Sequence, residues 1–222
     1  MSRRRWLIVP LVLGLLALAP APSYAGVGRG DRLERLLERV AVVPAPGYHP
    51  GYERSCDPGG CVFGREWTDQ NATRFGHNGC DTRQDVLLEQ MRDIELRWGS
   101  TCRIYQARLR DPYTGDRLTW RDDAYDIQID HVYPLARAWH EGAWAWPRKR
   151  RVAFANDVDL ELLAVGARAN QAKEDSTPAE WLPPRRAFWC GYLVAYLRVA
   201  VAYDLPITQA DADRARQIRP TC

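Results

Sequence analysis

Net charge is what this sequence has least of. Its 31 Lys and Arg stand against 28 Asp and Glu, a formal net charge of +3 over 222 residues. A global basic field for gathering nucleic acid is therefore excluded, and any polyanion contact has to come from local patches. The six cysteines include no Cys-x-x-Cys pair, which argues against a structural zinc site. No Gly-x-Ser-x-Gly elbow occurs, so a serine hydrolase built on that turn is excluded. There is no internal repeat, and no long apolar run after residue 25. With 46% hydrophobic and 27% charged residues, the composition also excludes a disordered, collagen-like or coiled-coil chain.

What is present begins with a leader. Arg3, Arg4 and Arg5 precede the apolar run Trp6 to Ala19, and Ser23-Tyr24-Ala25 fits small-x-small cleavage. The run is shorter than the ~20 residues a spanning helix needs. Residues 1–25 are read as a secretory signal peptide, and the mature chain as secreted and not membrane-bound. Those residues hold three Arg and no acid, so 28 basic and 28 acidic residues remain. In an oxidising compartment Cys56, Cys61, Cys80, Cys102, Cys190 and Cys222 read as three disulfides. Six cysteines allow about 15 pairings. The expected set is Cys56–Cys61 across a Pro-Gly-Gly turn, Cys80–Cys102, and Cys190–Cys222.

The rest reads as one α+β domain, residues 51–222, behind an N-terminal helix and linker at 26–50. Leu33, Leu36, Leu37 and Val40 carry helical spacing. Residues 43–80 read as loop, with a glycosylation sequon at Asn71-Ala72-Thr73. Asp81 and Gln84 resemble a capping box opening a helix to about Trp98, buried through Leu87, Met91, Ile94 and Trp98. A hairpin is expected over 102–120 and strands over 125–133 and 160–165. Helical segments follow near 134–143, 148–156, 185–203 and 208–218. Thr177-Pro178-Ala179-Glu180 carries every helix-start signal.

Two clusters carry chemistry. His131 follows Asp130 at the end of the strand Asp126-Ile127-Gln128-Ile129, and Pro134 then breaks the strand. An acid and an imidazole there can serve one site if the strand bends. Asn170 and Lys173 share a helix face after an apolar strand. Aspartate and amide oxygens are hard ligands suited to Mg²⁺ or Mn²⁺, and a lysine one turn on can meet a phosphate. Taken singly, each cluster reads as ordinary surface.

Taken together they resemble a family. The blocks are Gly79-Cys80-Asp81-Thr82-Arg83, Asp130-His131-Val132-Tyr133-Pro134-Leu135-Ala136, Phe154-Ala155-Asn156-Asp157, Asn170-Gln171-Ala172-Lys173 and Pro178-Ala179-Glu180-Trp181-Leu182-Pro183-Pro184. In this order, over roughly residues 50–218, the chain is similar to secreted HNH endonucleases of actinobacteria. That family looks related to the C-terminal nuclease domain of GmrSD-type restriction enzymes. The resemblance implies a ββα-metal core surrounded by helices and stapled by the disulfides. It implies one divalent cation on Asp130 and Asn170, His131 as general base, and Lys173 against phosphate. The middle residue of the motif, which orients the His131 loop, is either Glu161 on the second strand or Asn156 in its own block. The family tends to show Lys-Gly-Asp where this chain has Lys173-Glu174-Asp175.

The function implied is metal-dependent hydrolysis of phosphodiester bonds, in DNA or also in RNA. Arg148, Lys149, Arg150 and Arg151, with Arg185 and Arg186, are the local basic candidates for holding it. The chain is expected to act as a monomer, and an inhibitor protein is a further partner class consistent with such an enzyme. The competing reading is a secreted module that keeps the fold and binds nucleic acid or envelope without cleavage, with Glu161 and Glu174 as its support.

Overall fold

A computed structural model describes residues 28–57, 59–121 and 125–222. The signal-peptide reading falls outside these residues. Among them no helix is long and apolar enough to cross a membrane.

The first helix, α1 (Arg29–Leu37), buries Leu33, Leu36 and Leu37. Its apolar stripe packs on α6 (Trp189–Tyr203), a helix buried along most of its length. Strand β1 (Val42–Val43) then pairs in parallel with β7 (Ile207–Thr208). Residues 29–43 thus share the larger core with α6 and α7 (Gln209–Ile218).

The loop expected over 43–80 is present and is held by side chains. Asp69 accepts from the backbone N–H groups of Asn78 and Gly79 at 3.0 and 3.1 Å. Asn71 is buried at 5% exposure, donates to the Thr68 carbonyl and accepts from Thr73. The amide of the sequon asparagine is therefore engaged in the loop's own hydrogen bonds.

Asp81 caps α2 (Thr82–Gln90) as expected, accepting from the Gln84 N–H at 2.8 Å. The helix does not run on to Trp98. Residues Arg92–Leu96 form a strand, β2, paired antiparallel with β3 (Ile104–Arg110), and Trp98 is fully exposed. Met91 leaves the helix in an extended conformation, and strand pairing gives residues 92–96 the backbone partners a helix would have given them. The expected hairpin is there as β3 and β4 (Arg117–Arg121), turned through Gly115 at φ +86°. With β2 it becomes a three-stranded sheet, β2-β3-β4.

Two strands far apart in sequence form the third sheet. β5 (Ile127–His131) pairs antiparallel with β6 (Leu162–Gly166), with His131 opposite Leu162. Between them lie α3 (Leu135–His140) and α4 (Arg148–Ala155). Directly after β6, α5 (Ala167–Lys173) turns back against both strands. Gly166 sits at this corner because a Cβ there would come within 2.8 Å of the Asp111 carboxylate.

The helix expected at Thr177 does not form. The start signals produce a single turn, with the N–H groups of Glu180 and Trp181 both donating to the Thr177 carbonyl at 2.9 Å. Glu180 reaches back to the Thr177 N–H at 2.8 Å, but Pro183 and Pro184 deny the next turn its donors.

The three disulfides are Cys56–Cys61, Cys80–Cys102 and Cys190–Cys222, with Cα atoms 4.4, 5.5 and 5.6 Å apart. The first closes a turn, the second ties the start of α2 to the β2–β3 connection, and the third fastens the C-terminus to α6. The result is a mixed α and β fold stapled at three points.

Candidate active site

The end of β5 carries the acid and the imidazole. The strand alternates, so Asp130 turns inward and His131 faces a partly open position. Asp130 is buried at 4% exposure. One of its carboxylate oxygens accepts from Lys173 Nζ at 2.7 Å, the other from the Tyr113 hydroxyl at 2.5 Å. Lys173 is wholly buried and also donates to the His131 carbonyl at 2.8 Å. The last turn of α5 is thereby locked onto the end of β5. Burial pushes the Asp130 carboxyl up, while the lysine charge and the two donated hydrogen bonds oppose that shift.

His131 is held on two sides. Its ring stacks on Trp67, centroids 5.6 Å apart and planes 13° from parallel. Nε2 lies 3.0 Å from the carbonyl oxygen of Ala155. A carbonyl can only accept, so Nε2 carries the proton and Nδ1 keeps its lone pair. Burial, with Arg54 and Lys173 nearby, lowers the imidazole pKa to about 3. The neutral ring is thus the resting form near pH 7.

Asn170 on α5 donates through Nδ2 to Gln128 Oε1 at 3.0 Å, which leaves its own oxygen as an acceptor. Asp130, His131 and Asn170 line one cavity of about 240 Å³, together with Tyr52, Arg54, Glu174 and Asp175. A larger cavity of about 540 Å³ is lined by Asp111, Asp116 and Asp126, and contains no imidazole or thiol. Its three acids suit a phosphodiester poorly.

Glu161 and Asn156 do different things. Glu161 is fully buried. Its backbone carbonyl accepts from the Val132 N–H at 2.8 Å, and its side chain from the Tyr133 N–H at 3.3 Å. It braces the two residues after His131. Burial raises its pKa well above the ordinary value, against the Tyr133 N–H and the Lys173 charge. Asn156 donates to the Val152 carbonyl at 2.9 Å and closes α4, while the carbonyl that holds His131 belongs to the residue before it.

The basic run divides. Arg148 and Lys149 are exposed and line a cavity with Asn71 and His77. Arg150 donates to the Tyr203 carbonyl at 2.7 Å and pairs with Asp204. Arg151 donates to the Val62 carbonyl at 2.6 Å and to the Trp146 carbonyl, and lies over the Trp139 ring. Only the first two are placed to meet a ligand; the second two are used in holding the fold.

Tyr113, Trp67, Arg54 and Gln128 complete the site without a sequence signal of their own. Each lies in a turn, a loop or mid-strand; Tyr113, Gln128 and Trp67 are 17, 42 and 64 positions from Asp130, Asn170 and His131, the residues they touch, and Arg54 is 77 from His131.

Over residues 81–217 the sequence matches the family of GmrSD restriction endonucleases, C-terminal domain. The chain belongs to this family. A secreted protein of Arthroderma benhamiae, described only as uncharacterized, is 32% identical over 216 residues, 97% of each chain. No solved structure matches. For a GmrSD C-terminal domain a nuclease-related function and a nucleic-acid partner follow, and the matched span contains Asp130, His131, Asn170 and Lys173.

Asp130 and Asn170 are the oxygen donors at the cavity, and the Asp130 carboxylate is already engaged by a buried ammonium and a hydroxyl. An ionised carboxylate offers about four lone-pair positions, and Lys173 and Tyr113 take one on each oxygen. Asn170 adds an amide oxygen. Among the described residues no three His, Cys, Asp or Glu side chains gather into a metal cage. The set would be Asp130 and Asn170 with solvent, the sparse protein ligation Mg²⁺ accepts.

Proposed function

We propose that this GmrSD-family chain is a secreted, metal-dependent HNH endonuclease that hydrolyses phosphodiester bonds of DNA, or also of RNA. The observation that carries the reading is the meeting of Asp130, His131 and Asn170 around one cavity at the end of β5 and on α5, with β6 paired to β5. That strand–strand–helix order is what a ββα-metal core requires.

In this reading Nδ1 of neutral His131 takes a proton from the attacking water. Ala155 and Trp67 fix the ring so that its lone pair keeps one direction. Asp130 and Asn170 would hold Mg²⁺ or Mn²⁺, which would supply Lewis-acid stabilisation of the charge developing on the phosphate oxygens. Lys173 is a positioning residue: its ammonium is spent on Asp130 and the His131 carbonyl, not on phosphate. Glu161 keeps the backbone after His131 in place, and Asn156 ends the helix that presents Ala155. Arg148 and Lys149 are the part of the basic run left to meet nucleic acid.

A specific observation favours the competing reading of a binding module without cleavage. The buried Lys173–Asp130 pair places an ammonium 2.7 Å from the carboxylate that a cation would use. Incubating the oxidised chain with supercoiled plasmid decides between them. Nicking in Mg²⁺ or Mn²⁺ that EDTA abolishes is the expected result; intact plasmid in every metal, with the plasmid bound, favours the binding module.

A further inference from the structure

We propose that the outer face of the β2-β3-β4 sheet is a docking surface for the phosphate backbone of nucleic acid. Residues directly opposite on paired strands point to the same face. The register sets Arg92 opposite Arg108, Gln106 opposite Arg121, Arg108 opposite Thr119 and Arg110 opposite Arg117. All five arginines are exposed, while Ala107, Leu109 and Trp120 fill the inner face. In a chain with so little net charge, this is a strong local concentration of one sign.

The arrangement works against the fold's own stability. Like charges directly opposite on neighbouring strands are destabilising. The acids on this sheet are Asp93 and Glu95 on β2, the latter opposite Gln106, with Asp116 and the buried Asp111 in the β3–β4 turn. Asp93 pairs with Arg108 at 3.2 Å with both side chains two-thirds exposed, where a pair contributes little. A polyanion laid across the face would supply the missing counter-charge. From Arg117 to Arg121 the strand covers about 14 Å, over which duplex DNA carries about eight phosphates. A row of exposed guanidinium groups suits such an array, and planar guanidinium can grip each phosphate through two N–H groups. The inference rests on the nuclease reading only for the choice of nucleic acid as the polyanion.

The test is binding of a blunt DNA duplex in EDTA across a range of salt, for the full oxidised chain and for Arg110→Gln/Arg117→Gln. The variant is expected to bind at least about tenfold more weakly at low salt, with a log–log salt slope smaller by about 1.8, or ~0.9 for each phosphate that is no longer neutralised. Arg110→Lys/Arg117→Lys should recover the slope. Thermal unfolding of the glutamine variant should match or exceed that of the parent, because opposed charges have gone; a merely structural role would lower it. Unchanged affinity and slope would overturn the proposal. So would failure of the chain to bind duplex at all, or equally tight, arginine-dependent binding to phosphatidylserine vesicles. Duplex binding without plasmid nicking would sink the nuclease reading and leave this surface standing. Nicking whose salt sensitivity the glutamine variant leaves intact would sink the surface alone.

Discussion

Glu174 stands at φ +51°, ψ −125°, directly after α5, in backbone territory that favours glycine. The residue there is an exposed glutamate that lines the cavity with Asp130. Glu174→Gly is expected to raise stability by about 1 kcal/mol through relief of that strain, read by denaturant unfolding. It should also tighten nucleic-acid binding by removing a negative charge; a loss of stability would show that the side chain makes a contact worth more than the strain. Glu161 gives a pH test. Its folded pKa lies well above the ordinary 4.5, so the native state keeps a proton that the unfolded chain releases. This group's stabilisation is full below that value and shrinks as pH rises towards the folded pKa. Glu161→Gln mimics the neutral acid, so the variant should gain on the parent as pH rises above the ordinary carboxylate value, by up to about 1.4 kcal/mol per unit. Parallel stability curves for the two proteins would mean that Glu161 is ionised in the fold.

Element by element, the sequence is legible where one local signal governs. Asp81 caps its helix, Gly115 turns its hairpin, and the apolar stripe of α1 lies where its spacing puts it. It is misleading where a partner outside the segment decides. The apolar positions at Ile94 and Trp98 suggest a longer α2, but pairing with β3 claims that stretch. The signals at Thr177 begin a helix that two prolines stop. Within the site, Asp130, His131, Asn170 and Lys173 are legible because each carries chemistry at the end of a recognisable element. Tyr113, Trp67 and Arg54 are not, since only the folded chain brings them there. The Cys190–Cys222 bridge shows an element-scale dependence. It joins residues 32 apart, and α7 lies within the closed loop. Cys190→Ala/Cys222→Ala should cost about 3–4 kcal/mol and speed amide exchange in α7 ahead of β5 and β6. Equal loss of protection in all three would make the bridge a global staple instead of a local one.

Across the whole molecule, two cores divide the work. The larger gathers α1, α3, α4, α6 and α7; the smaller lies between α2, the β2-β3-β4 sheet and the β5–β6 pair. His131 sits where they meet: Trp67, packed against the smaller core, stacks on it, and Ala155 from the larger core accepts from it. The imidazole is therefore positioned by the whole fold. We propose this imidazole, in a chain of the GmrSD restriction endonuclease family, as the base of a phosphodiester hydrolase. The most direct test is the plasmid-nicking rate of His131→Ala against the parent in Mg²⁺ or Mn²⁺, with thermal unfolding measured on both. The account predicts a loss of about 10²–10⁴-fold while the variant still folds cooperatively. A folded variant that nicks within a few-fold of the parent would contradict it.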